Sequence, residues 1–303
     1  MDLDMKSLEQ CTLCPRSCGV NRLAGQRGYC GAAGETVDIA LVSLHPWEEP
    51  CIAGKNGAGT VFFSHCSLRC VFCQNSDISS EGKGIAVSVE RLTEIFLEQQ
   101  ARGAATLDLV TPTHYAPQIA EALREAKSRG LTIPVVWNSG GYETVELIEA
   151  LEGLVDVYLP DMKYIDEESA ARYSHAGDYF ARAEKALWAM VKQTGAPVDD
   201  NGVMRRGVLV RHLVLPGRRK ESMRIIDRLW ENFGDTVWLS LMNQYTPLYH
   251  AQDYKEINRT LTTFEYESVV DHAVDLGITH CYVQEGKTAS KKFVPSFDGR
   301  GVL

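Results

Sequence analysis

Three cysteines fall at spacing C-x3-C-x2-C in one stretch, Cys66-Ser67-Leu68-Arg69-Cys70-Val71-Phe72-Cys73. Three thiolates on a compact loop can hold an iron–sulfur cubane, whose usual complement is four. The missing fourth thiol leaves one iron without a protein ligand. An open coordination position marks a site that binds something, by the logic that separates catalytic from structural zinc. The expected chemistry is therefore that of a [4Fe-4S] cluster with one exchangeable corner. A second set, Cys11, Cys14, Cys18 and Cys30, has spacing C-x2-C-x3-C-x11-C. Four thiols can close a tetrahedral zinc site or hold a second cluster, and spacing alone does not choose. Because four thiols leave no open position, this set leans toward zinc or a structural role.

These seven account for most of the nine cysteines in the 303 residues; Cys51 and Cys281 stand alone. Tight clustering and an odd total speak for metal binding over a disulfide framework. A net charge of −9 argues against non-specific nucleic-acid binding, which draws on Lys and Arg paired with phosphate. The pairs Arg205-Arg206 and Arg218-Arg219 read as solvated loops. The acidic start, Met1-Asp2-Leu3-Asp4, has no apolar core and is no signal peptide. No apolar run is long enough to span a membrane. The expected location is the cytoplasm.

The elements that must position the thiols follow from periodicity. Residues 1–35 are poor in apolar side chains and need a metal or the main domain as a staple. Residues 37–43 read as a strand, forming a hairpin with residues 60–64, whose end delivers the cysteine loop. His45, Glu48 and Glu49 lie in the connection between those arms and read as a solvated loop. From residue 60 onward, short apolar runs alternate with helical stripes ended by glycine. Ser88 and Thr144 read as N-caps, Thr263 as the cap of the last helix, and Pro117 as a first-turn proline. Strands alternating with helices imply a parallel sheet with right-handed crossovers. Six such units fit a partial barrel better than a closed one, and the pattern alone leaves an open doubly wound sheet as an alternative. The domains read as a cysteine-rich metal-binding leader (1–35), a barrel (36–286) and a polar tail (287–303).

In barrels of parallel strands, reactive groups gather at the C-terminal strand ends. There the chain carries Thr111, Thr113 and His114, then Asn138 and Ser139, then Asp161 and Lys163. Further on come Arg211 and His212, then Asn243 and Gln244, and finally Gln284 and Glu285. Polar residues above apolar strand bodies suit a polar ligand at the barrel mouth.

The trio, with Phe72 just before its last cysteine, resembles the signature of the radical S-adenosylmethionine enzymes. The wider run from Phe63 to Asn75 resembles the pyruvate formate-lyase activating enzymes and their uncharacterised relatives with a cysteine-rich leader. That resemblance selects an α/β fold, a partial (β/α)6 TIM-like barrel with the cluster loop after its first strand. It implies a [4Fe-4S] cluster on Cys66, Cys70 and Cys73 and S-adenosylmethionine as cofactor. It further implies an electron donor such as flavodoxin or ferredoxin. Thr111 and Thr113 suit the ammonium of that cofactor, though they stand where the superfamily has a Gly-Gly-Glu-type motif. Asn138 and Ser139 suit the ribose, in a run that partly matches Asp-Thr-Asn-Gly. Asp161-Met162-Lys163 resembles an Asp-Leu-Lys motif and makes Lys163 a partner for the carboxylate. Arg211 sits in a strand that resembles Ile-Arg…Val-Pro-Gly, Phe72 would pack near the adenine, and Asn243 completes the cofactor-binding set. The implied activity is reductive cleavage to a 5′-deoxyadenosyl radical that abstracts hydrogen from a substrate, in one form the backbone glycine of a glycyl radical enzyme. The activating enzymes carry a Leu-Pro-Tyr-His-like segment where this chain has Leu241-Met242-Asn243-Gln244, so action on another protein side chain or a small molecule is the second reading. A non-catalytic iron–sulfur electron carrier is the third.

Overall fold

The computed structural model describes residues 3–284 and 295–303. In chain order the elements are β1 (Val37–His45), α1 (Pro50–Ala53), β2 (Ala58–Phe63), α2 (Ser76–Ser79), β3 (Ile85–Val87), α3 (Val89–Ala101), β4 (Leu107–Val110) and α4 (Ala116–Ser128). Then come β5 (Val135–Ser139), α5 (Val145–Ala150), β6 (Val157–Pro160), α6 (Glu167–Ser174), α7 (Tyr179–Thr194), β7 (Val198–Asp200) and β8 (Val203–Leu213). The series closes with α8 (Arg219–Phe233), β9 (Trp238–Met242), α9 (Thr263–Asp275) and β10 (Cys281–Val283).

The sheet order is β10-β9-β8-β6-β5-β4-β2-β1-β3, with β7 folded back on β8. From β2 to β10 every neighbouring pair is parallel, and β1 and β3 add an antiparallel edge. Among the described residues β3 and β10 are the two ends of the sheet. The architecture is thus the open, partial barrel of the α/β class. The strands that carry the site, β2, β5 and β6, are buried along their whole length, as strands covered on both faces must be. On α3 the stripe Leu92, Ile95 and Phe96 is fully buried, each side chain worth roughly 2 kcal/mol of transfer.

The caps follow the sequence closely. Ser88 and Thr144 accept from the third residue of their helices. The last helix is capped one residue earlier than expected, by Thr262, because Glu265 reaches back to close a capping box. Several strands also end later than the apolar run suggests. Asn138 and Ser139 belong to β5, since their backbones pair with Leu159 and Pro160 on β6. The β7–β8 hairpin and β3 have no clear sequence signal, because each rests on a three-residue strand. The end of the tail docks on β1 through Val42 N–H to Arg300 O and Gly299 N–H to Ala40 O. Tail residues 287–294 and Glu285 lie outside the described residues.

Candidate functional site

The cysteine loop leaves the C-terminal end of β2, the first parallel strand. Its backbone turns sharply: His65 and Arg69 take left-handed φ values of 74° and 52°, each costing on the order of 1 kcal/mol for a residue with a Cβ. Anchors hold this geometry. The His65 ring bonds Asp38 at 3.1 Å, and the Tyr115 hydroxyl donates to the same carboxylate at 3.0 Å. The loop amides of His65 and Val71 donate to the carbonyls of Ile78 and Tyr173.

Each thiol of the trio receives a hydrogen bond. Leu68 N–H donates to Cys66 Sγ at 3.4 Å, the Ser174 hydroxyl to Cys70 Sγ at 2.9 Å, and the Ser79 hydroxyl to Cys73 Sγ at 3.2 Å. Burial pushes the Cys70 thiol up to about 12 and Cys73 upward as well. Without a positive partner such thiols stay protonated. An iron ion supplies that charge and draws off the protons.

The trio opens into a cavity of about 450 Å³, within the range of small-molecule sites. Its polar wall is a chain of charges. Asp161 accepts from Lys163 Nζ at 2.5 Å and from Arg211 Nε at 3.1 Å. Arg211 also donates to Asn138 Oδ1 at 2.6 Å and pairs with Glu48 at 3.4 Å. Burial pushes Asp161 up, but Lys163 and Arg211 outweigh it and hold the carboxyl below its usual range. Beneath them, burial raises Asp108 to about 7, and Glu48 is lifted well above an ordinary glutamate by burial and by Asp108. The Tyr179 hydroxyl, out of reach of any sequence signal, pins the strand ends together. It contacts the carbonyls of Gly140 and Asp161 and the amide of Lys163 at 2.7 to 3.0 Å.

The Radical SAM superfamily profile matches residues 60–229, which is more than half of the chain. The chain belongs to the Radical SAM superfamily. It is 31% identical over 275 residues to an uncharacterized protein of Methanocaldococcus jannaschii, MJ0674, covering 88% of this chain and 74% of that one. Among solved structures it is similar to SuiB of Streptococcus suis. The form of SuiB bound to S-adenosylmethionine aligns at 13% identity and TM-score 0.50, over 73% of this chain and 48% of SuiB. The form bound to the precursor peptide SuiA aligns at 13% identity and TM-score 0.49, over 73% and 46%. This chain spans about half the length of the SuiB chains it matches.

A radical SAM protein implies a [4Fe-4S] cluster and S-adenosylmethionine. The donor set fits the cluster: three thiols on one loop, each with its own hydrogen-bond donor, beside a cavity that also carries the charged groups Asp161, Lys163 and Arg211.

The sequence-derived residues divide on contact with the cavity. Cys66, Cys70, Cys73, Phe72, Thr111, Asn138, Ser139, Asp161, Lys163 and Arg211 all line it. Thr113 does not: its hydroxyl donates to buried Glu143 at 2.8 Å, beside the Trp137 Nε1 donor. Asn243 does not line it either; its amide groups bond Gln284, while its neighbour Gln244 lines the cavity. His45, Glu48 and Glu49 correct the reading of a solvated loop, because all three line the cavity. Of the leader cysteines Cys14 and Cys30 are buried, and the leader is tied to the cysteine loop by Arg16 donating to the Ser67 carbonyl and Arg69 to the Cys30 carbonyl.

Proposed function

We propose that this protein is a radical SAM enzyme that cleaves S-adenosylmethionine reductively and abstracts a hydrogen atom from a substrate held at the cavity. The observation that carries the reading is that the three thiols and the polar strand-end groups line one cavity. A cluster held by Cys66, Cys70 and Cys73 would supply the one electron that reductive cleavage of S-adenosylmethionine needs.

The chain's own part is binding, orientation and exclusion of water. Lys163 and Arg211 present two cations to a carboxylate, with Asp161 fixing both. Asn138 and Ser139 offer hydroxyl partners from the end of β5. The Phe72 ring packs edge-on against Tyr173 and Tyr245, with centroids 6.4 and 5.7 Å away, and gives an apolar face for a base. Hydrogen abstraction tolerates little misplacement, and buried strand ends tied by Tyr179 suit it. An external one-electron donor of the flavodoxin or ferredoxin type would reduce the protein. Nine free cysteines suit a reducing, cytoplasmic location.

The finer form of this reading is a glycyl-radical-enzyme activase, supported by the resemblance of residues 63–75. Its test is a glycyl-radical doublet by electron paramagnetic resonance after incubation with candidate glycyl radical proteins. The coarser reading is tested by anaerobic reconstitution with iron and sulfide, then addition of dithionite and S-adenosylmethionine. Formation of 5′-deoxyadenosine supports it, and its absence from protein with a full cluster rejects it.

A further inference from the structure

The end of the cavity remote from the thiols is acidic. Cys66 follows the last residue of β2, whereas Glu48 and Glu49 lie in the connection that enters it, since His45 at the end of β1 stands opposite Ala58 at the start of β2. Roughly 17 Å of strand separates the two ends of β2. Glu48, Glu49 and the three thiols nevertheless line one cavity. The connection forms the floor of the barrel. Cys51 and Ile52 pack in one apolar cluster with Val136, Val157 and Leu209. The Ile52 carbonyl accepts from the Thr106 hydroxyl at 2.9 Å. The two glutamates therefore stand on fixed backbone.

Four carboxylates, those of Asp161, Glu49, Glu48 and Asp108, act on the one Arg211 guanidinium. The other cation on the described lining, Lys163, is bonded to Asp161. Glu48, Glu49 and Asp108 thus share Arg211 with a fourth acid. Asp108 is fully buried on β4 and faces the barrel interior, on the same side as Val110, which lines the cavity two residues on. Its Oδ2 takes only long bonds, from Asn138 at 3.4 Å and Thr60 at 3.5 Å. Among the described residues, Asp108 Oδ1 and Glu49 Oε2 are buried and meet no donor.

Buried carboxylate oxygens are costly unless positive charge or donors meet them. Burial, then the neighbouring acids, hold Asp108 up at about 7 and Glu48 well above an ordinary glutamate. A positively charged group seated among them removes that cost. Trp47, next to Glu48 and 69% exposed, also lines the cavity, and an indole face suits a cation.

We propose that the floor of the cavity recognises the substrate and selects an organic cation: Glu48 and Glu49 receive an ammonium or guanidinium group, and the rest of the substrate extends toward the thiols. This rests on the radical SAM enzyme reading and names the chemical class of its substrate. The cavity then divides by charge. Lys163 and Arg211 take the cofactor's carboxylate, and the floor takes the substrate's cation. A neutral or anionic substrate leaves the buried acids unmatched, which discriminates against it.

The test is saturation-transfer NMR on full-length protein reconstituted anaerobically with iron and sulfide, without reductant. The probes are n-butylammonium and n-butylguanidinium, with butanol and butyrate as controls. The cations should bind and the controls should not, and Glu49→Gln should weaken cation binding by about tenfold or more. Glu48→Gln is the second variant should the first fail to fold by circular dichroism. Addition of S-adenosylmethionine should leave the cations bound. Absent or unselective cation binding, or full cation binding in a folded variant, would overturn the proposal. Displacement of the cations by S-adenosylmethionine would overturn it too, by assigning the acids to the cofactor. Without reductant no cleavage occurs, so the result is independent of whether the protein forms 5′-deoxyadenosine.

Discussion

The Ser174 hydroxyl, at the last residue of α6, donates to the Cys70 thiol at 2.9 Å across 104 residues of chain. Tyr164 bonds the same hydroxyl at 2.8 Å, and Arg16 of the leader holds the Ser174 carbonyl. One serine thus links the cysteine loop, the barrel and the leader. A donor to a cluster sulfur stabilises the extra negative charge of the reduced state and raises its potential. Ser174→Ala should therefore lower the reduction midpoint of the catalytic cluster while leaving the iron content intact. A redox titration followed by electron paramagnetic resonance measures it, and an unchanged midpoint would remove Ser174 from this role.

Asp161 holds two cations in place, Lys163 at 2.5 Å and Arg211 at 3.1 Å, all three side chains being less than one-fifth exposed. Removing one charge from a buried set leaves the others uncompensated, which costs about 3 kcal/mol or more. Asp161→Asn keeps the shape and removes the charge. It should lower the stability of the protein by that amount in anaerobic urea unfolding and weaken S-adenosylmethionine binding. Wild-type stability in that variant would show that Glu48 and solvent already balance the pair.

The thiols and most of the strand-end groups were legible in the sequence because their signals are local. C-x3-C-x2-C is a spacing, and Asp161-Met162-Lys163 is a tripeptide after an apolar run. Ser174, Ser79 and Tyr179 were not legible. They act through contacts made by folding, and nothing in their neighbourhoods marks them. Thr113 shows the converse: it follows a strand, as a ligand-binding residue does, yet Glu143 captures its hydroxyl from below. Glu48 and Glu49 read as solvated because a Pro-rich polar connection normally is. The short helix Pro50–Ala53 turns them toward Arg211 instead. The barrel itself was legible from alternating periods, but its closure was not, since strand count alone does not distinguish an open sheet from a partial barrel.

Two buried histidines, His114 and His212, should make the fold less stable in acid. Burial holds His212 down at about 4, between the Met162 carbonyl and the Ser222 hydroxyl, and His114 at about 3. A free imidazole titrates near 6.5. The unfolded chain therefore takes up protons below about pH 6.5 that the folded chain refuses. Their contribution is present above that pH and is lost as pH falls from about 6.5 toward 4 for His212 and toward 3 for His114. By pH 5 each costs about 2 kcal/mol. Urea midpoints at pH 7.5 and pH 5 should differ accordingly, and His212→Gln should flatten the difference. Equal slopes in the two proteins would show that His212 is already protonated in the folded state.

The central claim is that Cys66, Cys70 and Cys73 hold a cluster whose open iron engages S-adenosylmethionine. The most direct measurement is 5′-deoxyadenosine release under dithionite by wild type and by Cys70→Ala, each reconstituted anaerobically and quantified by mass spectrometry. The account predicts product from the wild type and none above background from Cys70→Ala, with the circular dichroism of the variant close to wild type. Product from Cys70→Ala at a rate comparable to wild type would contradict it.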